Sequence, residues 1–260
     1  MTMDQMIDDT IAVTNYLRSR FGQDKIYFLG LSWGSFLGIQ VAARASELFH
    51  ANVGMGQLTY QLRSEVAAYR AQGDTAMVRR LELAPVSLAN GLSDAWMPLR
   101  DEAMHNRIGV GTTRDMTSVI TGVFMPIWRN PAYTLREKIA IWRCKSWSRS
   151  ILWDEILHTD LTVKVPRLEI PVYFFIGQHD YTTNYDLARD YFRKLDAPLK
   201  GFFTFKDSAH SPLFEAPRWA RAILQQDVPA KKHPIRSNPT RGFPMTEKGK
   251  PKSFLLRVVR

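Results

Sequence analysis

Lys25-Ile26-Tyr27-Phe28-Leu29-Gly30-Leu31-Ser32-Trp33-Gly34-Ser35-Phe36-Leu37-Gly38 decides the reading of this chain. A short apolar run rich in β-formers leads into Gly-x-Ser-x-Gly, and a helix-like segment carrying Ser35, Gly38, Ala42 and Ala43 follows at once. A serine so placed sits on a sharp strand-to-helix turn with strained backbone angles, and its Oγ projects above the end of a sheet. Gly30 and Gly34 carry no Cβ, so strand and helix can approach closely around it. The N–H of Trp33 then points to where an oxyanion forms during acyl transfer.

The flanking sequence extends this unit. Residues 4–21 have helical spacing, with Ile7, Ile11, Leu17 and Phe21 near one face and Gly22 as the cap. Trp33 to about Ser46 is the helix after the turn, and Ala51–Gly56 reads as a short strand. From Gln57 to Glu169 the pattern changes. Gln61–Gln72, Thr75–Leu83, Tyr133–Trp147 and Ile151–His158 have helical spacing. Pro85, Gly91, Pro98, Gly109, Gly111, Pro126 and Pro131 interrupt them. Trp96, Trp128, Trp142, Trp147 and Trp153 fall in this helical insertion, which reads as a cap over a pocket that favours an apolar or aromatic group.

Pro171-Val172-Tyr173-Phe174-Phe175-Ile176 returns to strand grammar, continuous and apolar as a strand covered on both faces must be. Gly177-Gln178-His179-Asp180 follows. Asn184–Leu195 reads as a helix and Phe202–Phe205 as the next strand, which ends in Lys206-Asp207-Ser208-Ala209-His210; Pro212–Gln226 reads as a helix. Strands alternating with helices imply a parallel sheet. The fold class is therefore α/β. The expected divisions are 1–56 (core with the serine turn), 57–169 (helical cap), 170–228 (core with the acid and histidine loops) and 229–260 (a basic, disordered tail).

Composition narrows the function classes. The chain has 260 residues and a formal net charge of +10. Residues 229–260 hold nine Lys and Arg against one acid, Glu247, so eight of those ten charges belong to the tail. A basic surface for nucleic acid is thus not a property of the fold, and no nucleic-acid partner is expected. Basic, proline-rich ends are usually just solvated. Cys144 is the single cysteine, which excludes an internal disulfide framework. No secretory leader and no apolar run of membrane-spanning length is visible, so the default expectation is cytoplasmic, with no membrane partner. The histidines are scattered without metal-ligand spacing, and neither Gly-x-Gly-x-x-Gly nor a P-loop occurs, so no metal and no cofactor is expected.

A serine hydroxyl needs a base to become a nucleophile, and the base needs a carboxylate to orient it. At the carboxyl ends of parallel strands the chain supplies Ser32, Asp180 and His210, in that order. His50, His105, His158 and His233 lack strand-end context. His179 precedes the acid and leaves no later base. Asp207 is a weaker candidate acid, three residues from His210.

Gly30-Leu31-Ser32-Trp33-Gly34-Ser35 resembles the nucleophile elbow of the proline iminopeptidase-like serine hydrolases, within the α/β-hydrolase superfamily. Gly177-Gln178-His179-Asp180 resembles that family's acid turn and Ser208-Ala209-His210-Ser211-Pro212 its histidine loop. The resemblance covers roughly residues 5–226. It implies a Ser32 nucleophile, a His210 base, an Asp180 orienter and a helical cap. The expected substrate is a small ester or amide, or the amino end of a short peptide. In true iminopeptidases cap acids hold the substrate ammonium; Glu65 and Glu82 are possible counterparts that nothing in the spacing singles out.

The chain departs from the family in one respect. Such hydrolases carry about four earlier strands and a His-Gly-Gly-Pro-Gly-like loop that supplies a second oxyanion N–H, and this sequence contains no His-Gly and no Gly-Gly. The expectation is a partial α/β-hydrolase fold, the C-terminal half of the parallel sheet plus the cap, with the elbow strand at an edge. Loss of an oxyanion donor typically costs about 10²–10³ in rate. The alternative reading is therefore a truncated, weakly active or inactive homologue acting as a binding protein. Oligomeric state is left open.

Overall fold

The structure, a computed structural model, describes residues 1–71, 73–83, 113–116, 118, 120–232 and 235–237. Pro85, Gly91, Trp96, Pro98, Gly109, Gly111, His105 and His233 lie outside them.

Helix α1 (Met3–Phe21) starts on Thr2, whose hydroxyl accepts the Gln5 N–H, and stops at Gly22 in the left-handed region at φ 59°. Strand β1 (Ile26–Leu31) leads through Ser32 into α2 (Trp33–Arg44). A 3₁₀ turn (Ser46–Leu48) leads to β2 (Phe49–Met55). The helical insertion follows: α3 (Gln61–Ala71), α4 (Thr75–Leu83), a π-helical turn (Ile120–Phe124), α5 (Met125–Arg129), α6 (Leu135–His158) and α7 (Leu161–Lys164). The chain then alternates β3 (Val172–Gly177), α8 (Tyr185–Lys194) and β4 (Lys200–Phe205), and continues with α9 (Pro212–Glu215), α10 (Pro217–Ala222), a second π-helical turn (Ile223–Asp227) and β5 (Ile235–Ser237).

The five strands form one parallel sheet in the order β1-β2-β3-β4-β5. β3 is its centre and shows why a continuous apolar run is needed there. Successive side chains point to opposite faces. Val172, Phe174 and Ile176 enter a core built with α1, α2, α6 and α8, while Tyr173 and Phe175 enter a second core built with α10 and the turn after it. Full burial of an aromatic or aliphatic side chain of this size stabilises by roughly 1.5–3 kcal/mol. β1 pairs with β2 alone among the described residues, as expected of an edge strand. Its outer face keeps Tyr27 at 47% and Leu29 at 42% exposure.

Three elements differ from the sequence reading. The two helices expected at 133–147 and 151–158 are one 24-residue helix, α6, because no Gly or Pro interrupts the stretch and a Thr134–Glu137 capping box starts it. The single helix expected over 212–226 breaks before Pro217, which has no N–H to give the preceding turn. The tail expected to be disordered from 229 contributes β5, which pairs in parallel with β4 through Phe202 opposite Ile235. Buried Asp227 anchors it, with Lys232 Nζ at 3.0 Å and Arg236 Nη1 at 3.6 Å.

Candidate active site

Ser32 stands between β1 and α2 with φ 56° and ψ −120°, a conformation that costs a non-glycine residue of order 1–3 kcal/mol. The turn survives because its surroundings over-determine it. The Ser32 N–H donates to the Met55 carbonyl at 2.9 Å. The Ser32 carbonyl accepts from the Ser35 and Phe36 N–H groups at 2.8 and 3.2 Å. The Ser35 hydroxyl, buried, also donates to the Ser32 carbonyl at 2.6 Å and accepts the Leu58 N–H at 3.1 Å. At Gly30 a Cβ would collide with the Gly34 carbonyl, so the close crossing requires glycine there. The Trp33 N–H is the first of α2 and has no partner within the helix.

Asp180 follows β3 and is fully buried. Its Oδ1 accepts the N–H groups of Thr182 and Thr183 at 2.9 and 3.1 Å, and its Oδ2 accepts the Thr183 hydroxyl at 2.8 Å. The loop closes where the Tyr185 N–H meets the Asp180 carbonyl at 3.0 Å and Asn184, at φ 63°, caps α8. The insertion reaches the same loop: Gln61 Nε2 donates to the Thr182 carbonyl at 3.2 Å and the Ser64 hydroxyl to that of Thr183 at 3.1 Å.

His210 follows β4, and its Nδ1 lies 3.0 Å from Asp180 Oδ2, with both side chains buried. Burial pushes the Asp180 carboxyl up. The charge of the His210 imidazolium and its hydrogen bond, joined by the Thr183 N–H and hydroxyl, outweigh that and hold it below the ordinary carboxylate range. The Nδ1–Cε1 side of the ring also lies against Gly56. A Cβ there would stand 2.9 Å from the ring and 2.8 Å from the His210 carbonyl. Gly56 is the residue after Met55, the backbone partner of Ser32. Asp180 and His210 are thus in direct contact, and Ser32 joins them across two adjacent backbone residues at the end of β2. Among the described residues no hydrogen bond links the Ser32 hydroxyl to the His210 ring.

The other candidates are placed elsewhere. Asp207 lies 3.9 Å from Arg114 Nη1. His179 is half-buried; burial and then the Arg114 charge hold its imidazole below its ordinary value. His158 faces Asp154 at 3.8 Å and His50 packs on the Tyr27 ring. Glu82 pairs with Arg70 at 2.9 Å on the exposed surface, and the Glu65 side chain lies outside the described set. Trp153 packs on the first core, and Trp128 and Trp142 gather on Phe124. Among the described residues no group of three or more His, Cys, Asp or Glu could hold a metal ion, and no helix is long and apolar enough to cross a membrane.

Sequence reasoning missed Thr183, Ser35 and Gly56. The Asp180-x-Thr182-Thr183 spacing is the one local signal among them, since an aspartate readily accepts N–H groups two and three residues on.

The model of the alpha/beta hydrolase fold family matches residues 4–217. The chain is 28% identical over 224 residues to the Bacillus subtilis (strain 168) protein "Probable aminopeptidase YbaC", covering 84% of this chain and 69% of that protein. Among solved structures it is similar to a proline iminopeptidase of Mycobacterium smegmatis, with a TM-score of 0.53 at 15% identity over 86% of this chain and 70% of the other. It is also similar to an esterase of Exiguobacterium antarcticum, with a TM-score of 0.51 at 10% identity over 88% and 74%. At such identities these structures speak for the fold alone. A parallel sheet carrying a strained serine turn, an acid loop and a histidine loop, together with a family match over most of its length, makes this chain a member of the α/β-hydrolase superfamily and a hydrolase.

Proposed function

We propose that the chain hydrolyses small esters or amides, or releases residues from the amino end of short peptides, through an acyl-enzyme on Ser32. In this mechanism Ser32 Oγ attacks the substrate carbonyl while His210 Nε2 takes its proton. Asp180 holds the ring through Nδ1 and favours the imidazolium as it forms. The Trp33 N–H faces the oxyanion of the tetrahedral intermediate. His210 returns the proton to the leaving group, and water then cleaves the acyl-enzyme by the same route. The observation that carries the reading is the buried His210–Asp180 pair, 3.0 Å apart, standing one residue from the backbone partner of Ser32.

The aminopeptidase-named relative favours amino-terminal peptides among these substrates. Assay of the full chain on p-nitrophenyl esters and on aminoacyl p-nitroanilides separates the two classes. Turnover of the anilides, lost in Ser32→Ala, supports the peptidase form, and turnover of the esters alone supports the esterase form. Turnover that survives Ser32→Ala contradicts the mechanism. A folded chain with no turnover of either class leaves the binding-protein alternative.

A further inference from the structure

Glu215 stands outside the Ser32, Asp180 and His210 set, yet each of its carboxylate oxygens is committed to a different segment. Oε2 accepts the Ala209 N–H at 2.7 Å. Oε1 accepts the Arg114 N–H at 2.7 Å, from a residue 101 positions away in the helical insertion. Both distances are at the short end for N–H···O.

The sequence places the carboxylate there by simple means. Pro212 starts α9 directly after Ser211, and one turn later Glu215 lies back over the start of that helix, toward Ala209. Ala209 is fully buried, so its N–H has no water to turn to if the carboxylate is removed. It is also the residue immediately before His210. Its carbonyl packs onto Gly177, leaving no room for a Cβ, and the neighbouring Ser208 carbonyl accepts the His179 N–H at 3.0 Å. The backbone from which the His210 ring extends is therefore held from two sides, by the acid loop and by Glu215.

We infer that Glu215 is a positioning residue for His210, and that it couples the position of that ring to the seating of residues 113–116 of the insertion. The inference rests on the reading of His210 as the base. A second link joins the same segments, Arg114 Nη1 to Asp207 Oδ1, but at 3.9 Å and partly exposed it contributes little. Displacement of residues 113–116 frees Oε1 and lets the carboxylate rotate away from Ala209. The ring then loses one of its two backbone supports.

The test compares the full chain with Glu215→Gln, counting active sites by fluorophosphonate titration so that rates refer to folded, labelled molecules. Glutamine keeps the shape but offers one carbonyl oxygen for two donors. The expected result is a fall in kcat per titrated site of about 10-fold, with KM changed much less, and faster hydrogen exchange at the Ala209 and Arg114 amides by a similar factor. A variant that loses thermal stability and titratable sites but keeps kcat per site is behaving as a structural mutant, and overturns the inference. If Glu215→Gln does not fold, exchange in the unsubstituted protein decides: protection of both amides is required, and an unprotected Arg114 amide overturns the bridge. Failure of the unsubstituted protein to label overturns the assignment of Ser32 and His210, and with it the catalytic consequence. Exchange then still reports whether the bridge exists.

Discussion

The imidazole of His210 rests on Gly56, with 2.9 Å between the ring and the place a Cβ would occupy. That contact joins the histidine loop to the end of β2, and so to the residue whose carbonyl holds the Ser32 N–H. Gly56 also has φ 50°, a region that side-chain-bearing residues avoid. Gly56→Ala is expected to push the ring away from Ser32 and lower kcat by about 10²-fold, with a stability cost of about 1 kcal/mol. Steady-state kinetics alongside a thermal melt separate the two effects.

Asp180→Asn retains the shape of the acid but offers an amide to the imidazole, which favours the wrong tautomer. Activity is expected to fall by about 10⁴-fold, read as kcat at pH 7. The same residue sets part of the acid sensitivity. Its folded-state pKa is depressed, so its contribution to stability is complete above the ordinary value of about 3.9 and is lost as pH falls through the lower folded-state value. Denaturant melts across that acid window are expected to show a steeper loss in the unsubstituted protein than in Asp180→Asn.

Ser35→Ala removes a buried hydroxyl that donates to the Ser32 carbonyl and accepts the Leu58 N–H. The Leu58 N–H is left without its acceptor, at a cost of about 2 kcal/mol. For a chain of this size that lowers Tm by about 4–8 °C, measurable by calorimetry. Relaxation of the strained Ser32 backbone is expected to lower kcat in the same variant.

The strand-end positions of Ser32, Asp180 and His210 were legible in the sequence because each follows a strand that announces itself. The Tyr173–Ile176 run and the Gly-x-Ser-x-Gly turn carry their own chemistry, and a parallel sheet gathers strand ends at one edge. Thr183, Ser35, Gly56 and Glu215 were not legible as parts of the site. Each acts through hydrogen bonds or contacts that the fold creates, and Glu215 reaches a partner 101 residues away. β5 was hidden for a different reason. Its three residues sit among prolines and basic residues, and the pairing comes from the edge of β4 and the charge of Asp227 rather than from local propensity.

Asp227 therefore has a testable role of its own. Asp227→Asn is expected to loosen residues 230–232 and 235–237 and to speed tryptic cleavage after Lys232 and Arg236, with hydrolytic activity unchanged. Cleavage at the original rate contradicts the anchoring role.

The proposed mechanism makes Ser32 the nucleophile and His210 the group that activates it. Mass spectrometry of the fluorophosphonate-treated chain locates the adduct directly. The expected result is a single modification on the peptide containing Ser32, absent in Ser32→Ala and slowed in His210→Ala. An adduct on another residue, or a folded chain that takes up none, contradicts it.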